Sequence, residues 1–133
     1  MLESPQLKIL VTSREPLSIP GEASLPVVSL SLPESSEGLG ALRGTEAVQL
    51  FEERARAVRP DFEVTADNAG AVGEIVRRLD GIPLALELAA ARLRILGVDQ
   101  IADRLGDRFR LLSGGGRTSV PRQQTLQAAI DWS

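Results

Sequence analysis

The apolar positions of this chain change rhythm once. Over the first quarter they alternate or run together, as in strands; from Thr45 onward they recur every third and fourth residue, as in helices. Leu7-Lys8-Ile9-Leu10-Val11-Thr12 predicts a strand with Leu7, Ile9 and Val11 on one face, stopped by Ser13-Arg14-Glu15-Pro16. Val27-Val28-Ser29-Leu30-Ser31-Leu32 predicts a second, bounded by Pro26 and Pro33. Ala47, Leu50, Phe51, Arg54, Ala55 and Val58 then mark one helical stripe that ends at Pro60. Val72, Ile75, Val76 and Leu79 mark a second, with Thr65 as the expected N-cap and Asp67 in its first turn. From Pro83 to about Leu96 the chain is apolar nearly all round, which predicts a central helix buried on several sides. Gly97 closes it, and Asp99 caps a short helix through Leu105, with Phe109, Leu111 and Leu112 continuing the apolar surface. Ser113-Gly114-Gly115-Gly116-Arg117-Thr118-Ser119 reads as a hinge. After it Pro121, Leu126, Ala129 and Ile130 predict one more amphipathic helix.

The sharpest local feature joins two of these runs. In Leu79-Asp80-Gly81-Ile82-Pro83-Leu84, Gly81 can adopt positive φ and end one helix, while Pro83 has the fixed φ and missing N–H that suit the first turn of the next. The result is a rigid helix–helix corner. It serves as a tight connection, and it can also press a proline ring against a flat apolar ligand.

Composition narrows the chemistry. Of 133 residues, 43% are apolar and only 3% aromatic, so the core rests on Leu, Ala, Val and Ile, which favours close-packed helices over a β-sandwich. The formal net charge is −3 and Lys8 is the only lysine, a balance that argues against autonomous DNA binding. With no Cys and no His, thiol chemistry, disulfides and the usual metal ligand and general base are excluded. No apolar run approaches the ~20 residues that span a bilayer, and the N-terminus does not read as a signal peptide. A cytoplasmic, soluble protein is expected.

Three ordered segments resemble the NB-ARC group of signal-transduction ATPases, the STAND class, and most of all the bacterial transcriptional regulators of SARP and LuxR type that carry such a module. They are the first strand with Thr12-Ser13-Arg14-Glu15-Pro16-Leu17, the stretch Arg78-Leu79-Asp80-Gly81-Ile82-Pro83-Leu84-Ala85-Leu86-Glu87-Leu88-Ala89-Ala90, and Pro121-Arg122-Gln123-Gln124-Thr125-Leu126-Gln127-Ala128-Ala129-Ile130-Asp131-Trp132-Ser133. The resemblance implies a mainly α fold of four to five helices, preceded by one or two strands left from a P-loop α/β domain and followed by the first helix of a winged helix. It divides the chain into 1–32 (the end of the nucleotide-binding domain), 33–116 (a helical subdomain) and 117–133 (the start of the winged helix). It implies that Arg14, positioned by Thr12 or Ser13, faces the terminal phosphate of ATP, a role for which a forked, always charged guanidinium is suited. It also implies that Pro83 packs near the adenine, with Gly81 and Ile82 shaping the turn. The expected cofactor is ATP or ADP with Mg in a longer parent, and none in this chain alone.

What is missing sets the expected activity. A Walker A loop needs Gly-x-x-x-x-Gly-Lys-Ser/Thr, and neither this nor a Walker B acidic strand is present, so the chain itself is not expected to be an enzyme. Glu52-Glu53 and Asp61/Glu63 read as helix surface and loop. Arg104, Arg108, Arg110, Arg117 and Arg122, interleaved with Asp103 and Asp107, read as a solvated face. An apolar strand with at most one partner, and a helical pattern still running at Ser133, suggest a piece of something larger. The function expected is that of a helical lid that senses ATP or ADP and gates self-association, with P-loop and winged-helix domains as partners in cis and DNA contacted only elsewhere in the parent. The alternative is a nucleotide-free helical module that binds proteins through its apolar surface.

Overall fold

The computed structural model describes residues 6–34, 38–113, 125–126 and 129–130. Among them every regular element is helical: α1 (Leu39–Gly44), α2 (Glu46–Val58), α3 (Ala69–Arg78), α4 (Pro83–Ala91) with a 3₁₀ turn at Arg92–Arg94, and α5 (Val98–Ser113). Helix α2 packs on α4 and α3 on α5, while α1 leans on α2 and α3. Most of the stripe positions read from the sequence are buried, but on α2 Arg54 is exposed, Leu50 and Val58 are half-buried, and Val48, off the stripe, is buried. Ala47, Val48, Phe51 and Ala55 of α2, Val72, Ile75 and Val76 of α3 with Leu79 beyond it, and Ala85, Leu86, Ala89 and Ala90 of α4 form one core with Leu93, Ile101 and Leu105. The Phe51 and Phe62 rings meet edge to face with centroids 6.1 Å apart. Small alanines on α4 let α2 approach closely, which is how a chain with three Phe and one Trp still fills its interior.

Several boundaries differ from expectation. No strand forms among the described residues. Leu7–Thr12 and Val27–Leu32 are extended but in no ladder, because a strand exists only by pairing and neither segment has a neighbour to pair with. Helix α3 begins at Ala69, four residues past the expected cap. The Asn68 side chain accepts the Thr65 N–H (2.8 Å) and donates to the Glu63 carbonyl (2.9 Å), so residues 63–68 form a turn instead of a first helical turn. The apolar run from Pro83 gives nine residues of α-helix and then tightens, and it is not buried all round: Leu84 and Ala91 are exposed. Helix α5 continues well beyond Leu105. Its start is fastened by Gln100, whose Oε1 accepts the Gly97 N–H at 3.0 Å. Helix α1 was not foreseen, since a six-residue element shows little periodicity.

Thr125, Leu126, Ala129 and Ile130 are helical, with Thr125 and Ala129 buried and Leu126 packed on the core. A helix is therefore present where the last pattern predicts one; a winged helix is not shown by it. The hinge glycines, Pro121-Arg122-Gln123-Gln124 and Asp131-Trp132-Ser133 lie outside the described residues, as do the side chains of Phe109, Leu111 and Leu112.

Residues 6–28 lie exposed alongside this body, with one locally organised loop. The Glu22 carboxylate accepts N–H groups from Leu17 (3.0 Å), Ser18 (2.8 Å) and Ile19 (3.4 Å) and the Ser24 hydroxyl (3.4 Å), around positive φ at Ser18 and Gly21. Donation from the Leu17 N–H and the other amides holds its pKa below that of an ordinary glutamate. The order of this loop is thus complete above the ordinary carboxylate range and is lost as pH falls through the lowered value. In an NMR titration, the Leu17, Ser18 and Ile19 amide resonances should all move with one midpoint, more acidic than that of an ordinary glutamate; a midpoint at the ordinary value would show that the carboxylate does not hold the loop.

Candidate functional site

The Gly-x-Pro corner is the best-defined site the chain offers. Helix α3 ends in a Schellman arrangement: the Gly81 N–H reaches the Val76 carbonyl (3.2 Å) and the Asp80 N–H reaches Arg77 (3.0 Å). The first left-handed residue is therefore Asp80 (φ +54°), with Gly81 (φ +62°) directly after it, so the reversal takes two residues where the sequence pointed to one. Asp tolerates this region better than most residues with a β-carbon. Gly81 is held to glycine by something else as well. A β-carbon there would lie 2.5 Å from the carbonyl oxygen of Leu30, a backbone atom that cannot swing away. Ile82, half-buried, is the N-cap of α4, and its carbonyl takes the Leu86 N–H at 3.0 Å. Pro83 occupies the first position of α4, exposed together with Leu84. The corner therefore presents a proline ring and a leucine to the outside on a turn closed by backbone hydrogen bonds.

What holds it from behind is the segment Ser29–Pro33. The Leu30 N–H donates to the Gly81 carbonyl (3.1 Å), Leu30 and Leu32 pack against the core, and Pro33 is buried. One residue on, Ser31 serves α2: its carbonyl accepts the Ala47 N–H (3.2 Å) and its Oγ accepts the Glu46 N–H (3.0 Å). These are orphan donors of the first helical turn. The local N-cap residue, Thr45, does not satisfy them, because its hydroxyl donates backward to Leu42 (2.8 Å).

Thr12 and Arg14 lie exposed in the extended segment, with Ser13 Oγ accepting the Glu15 N–H at 3.3 Å. Gly81, Ile82 and Pro83 are brought together. No hydrogen bond or ion pair among the described residues joins Thr12 or Arg14 to them. The residues present do not fit a bound Mg-nucleotide on their own. Lys8 is exposed on the same extended segment, and among the described residues no group of three carboxylates could hold a metal. A corner of this kind can offer an adenine an apolar wall, while gripping the phosphates needs groups this chain lacks.

A second cluster escaped the sequence reading. Glu52 is not helix surface: it is buried at the rim of the core, paired with Arg56 one turn on and with Arg43 of α1 at 3.7 Å. Arg43 also reaches Glu63 (3.7 Å), and Arg56 Nε donates to the Phe62 carbonyl (3.1 Å). Arg43, Glu52 and Arg56, with Gln49 and Glu53, line an open depression of about 370 Å³. The i,i+4 spacing of Glu52 and Arg56 was visible beforehand; the burial was not, because it depends on α1. The network fixes α1 and the Phe62 turn onto α2. Glu52→Ala should cost about 1–2 kcal/mol, less than a fully buried pair because both arginines are half-exposed. Glu52→Gln, which keeps the shape, should cost less in the same urea titration.

No protein-family model and no solved structure matches the chain. Curated relatives do. A putative HTH-type transcriptional regulator of Mycobacterium tuberculosis strain H37Rv is 54% identical over 129 residues, 97% of this chain and 13% of that protein. A protein of the same name in Mycobacterium bovis gives the same figures. An uncharacterized protein of Mycobacterium tuberculosis is 46% identical over 97% of this chain and 30% of its own length. The chain thus spans about an eighth of the regulators it matches. Among the described residues no helix is long and apolar enough to cross a membrane.

Proposed function

We propose that this chain is a helical regulatory segment of a transcriptional regulator, and that its Gly81–Ile82–Pro83 corner belongs to an ATP/ADP switch of the NB-ARC type. The observation that supports the regulatory reading is the 54% identity, across 97% of this chain, to a protein named as an HTH-type transcriptional regulator. DNA contact then falls to another part of such a protein, since this segment is acidic overall. The switch reading is supported by the corner itself, which is outward-facing at Pro83 and Leu84 and backed by Ser29–Pro33. In this reading Pro83 and Ile82 meet the adenine, Arg14 and Thr12 meet the terminal phosphate, and Mg and the rest of the phosphates are held by the P-loop domain. Whichever conformation the nucleotide contacts better is the one it populates, and self-association follows from that shift.

Calorimetry tests the reading at two levels. The 133-residue chain alone should show no micromolar affinity for ATP or ADP. The full-length mycobacterial regulator should bind, and alanine at the residue aligned with Arg14 should weaken ATP by about 10-fold or more while sparing ADP, the scale of one lost charge-assisted hydrogen bond. Equal affinities before and after the substitution would remove the sensor role.

A second reading, a nucleotide-free module that binds proteins, is favoured by one observation. Leu10, Leu25 and Val27 are 96%, 87% and 88% exposed, all in the extended N-terminal segment. Concentration-dependent light scattering that disappears when these residues are made polar, together with no nucleotide binding by the full-length regulator, would select it.

A further inference from the structure

We propose that Leu30–Ser31 is a coupling strap, through which the position of the N-terminal segment sets the stability of both the α2 N-terminus and the Gly81 corner. Four groups in two consecutive residues make the connection. Leu30 donates its N–H to Gly81 and lays its carbonyl oxygen against the Gly81 α-carbon. Ser31 supplies its carbonyl to Ala47 and its hydroxyl to Glu46. The two residues are consecutive, so a displacement of Leu30 away from the corner also displaces the Ser31 groups from α2, less whatever the φ and ψ angles between them absorb. The strap does work that elsewhere is done locally: α2 is capped from fifteen positions upstream, with its own Thr45 committed to α1. Residues 6–28 are all exposed, and the half-buried residues begin at Ser29. A pull on the N-terminal segment therefore reaches the helices through these anchors, and loosens at once two places that are far apart in sequence. The coupling runs in both directions, as any linkage between two sites must. It holds whether or not the corner meets a nucleotide, so it stands or falls apart from the switch reading.

Amide hydrogen exchange on the 133-residue chain tests it, with Ser31→Ala as the main variant and Ile101→Val, a remote core change of comparable cost, as the control. Removing the hydroxyl should speed exchange of the Glu46 amide about five- to tenfold, the effect of a lost cap. The diagnostic readout is at the other anchor: the Leu30 amide, which bonds Gly81 and never touches the hydroxyl, should exchange about threefold faster or more than in Ile101→Val. The reverse arm uses Gly81→Ala, which pushes on the Leu30 carbonyl and should speed the Ala47 amide more than amides of α5. A Leu30 amide no faster in Ser31→Ala than in the control overturns the proposal, even if Glu46 responds. If Gly81→Ala does not fold, the Ser31 arm decides alone.

Discussion

Gly81→Ala is expected to destabilise the protein by about 2–4 kcal/mol and to lower Tm by about 10–20 °C. Three costs combine. An alanine at φ +62° sits in the left-handed region, at roughly 1–2 kcal/mol. Its β-carbon would stand 2.5 Å from the Leu30 carbonyl oxygen, so the strap must shift. The shift strains the Leu30–Gly81 hydrogen bond, worth about 0.5–1.5 kcal/mol. A built-in contrast is Gly70→Ala. Gly70 lies in the first turn of α3 with nothing within 4 Å of a β-carbon. There alanine should stabilise by about 0.5 kcal/mol through helix propensity and a less costly unfolded state. Thermal melts of the two variants should move in opposite directions. Two small shifts of the same sign would mean that the strap does not lie where Leu30 is placed.

Phe51→Ala should cost about 3–5 kcal/mol, the usual range for emptying an aromatic site in a core. Phe51 is fully buried on α2, the helix that packs most extensively on α4, and its ring meets Phe62 edge to face. The loss would take most of the net stability of a small domain, so the variant should be partly unfolded at 37 °C and show an early urea midpoint. Phe62→Ala should cost less, since Phe62 sits at the edge of the core in a turn. The double variant should lose less than the sum of the singles by about 0.5–1.5 kcal/mol, the coupling of an aromatic pair. Strict additivity would mean that the rings do not touch in solution.

Helix periodicity was legible because it is written every few residues. Ala47, Phe51 and Ala55, and Val72, Ile75, Val76 and Leu79, were identifiable as buried faces before any coordinates, and so was the Gly-x-Pro corner. The rest depended on partners distant in sequence. Val27–Leu32 has a strand's pattern, but Leu30 and Ser31 spend their backbone groups on Gly81 and on α2 instead of on a ladder. Thr45 and Thr65 have the right chemistry for caps, yet Leu42 takes the hydroxyl of one and Asn68 takes the N–H of the other. Glu52 reads as solvent-facing until α1 brings Arg43 over it. At the corner, composition identified Gly81 and Pro83 but not Asp80, whose positive φ has no mark in the sequence. Thr12 and Arg14 stand apart from the corner's bonding, so their roles rest on resemblance alone.

The split anchoring of Ser29–Pro33 also orders events during synthesis. Ser29–Pro33 is made before α2, but the carbonyl of Gly81 that receives the Leu30 N–H arrives only after α1, α2 and α3 have been made. Closing that long loop carries an entropic cost that the nascent chain can offset only once α3 is made and packs on α2. The first turn of α2 and the bend before α4 therefore mature together, around a stretch of polypeptide made before either of them.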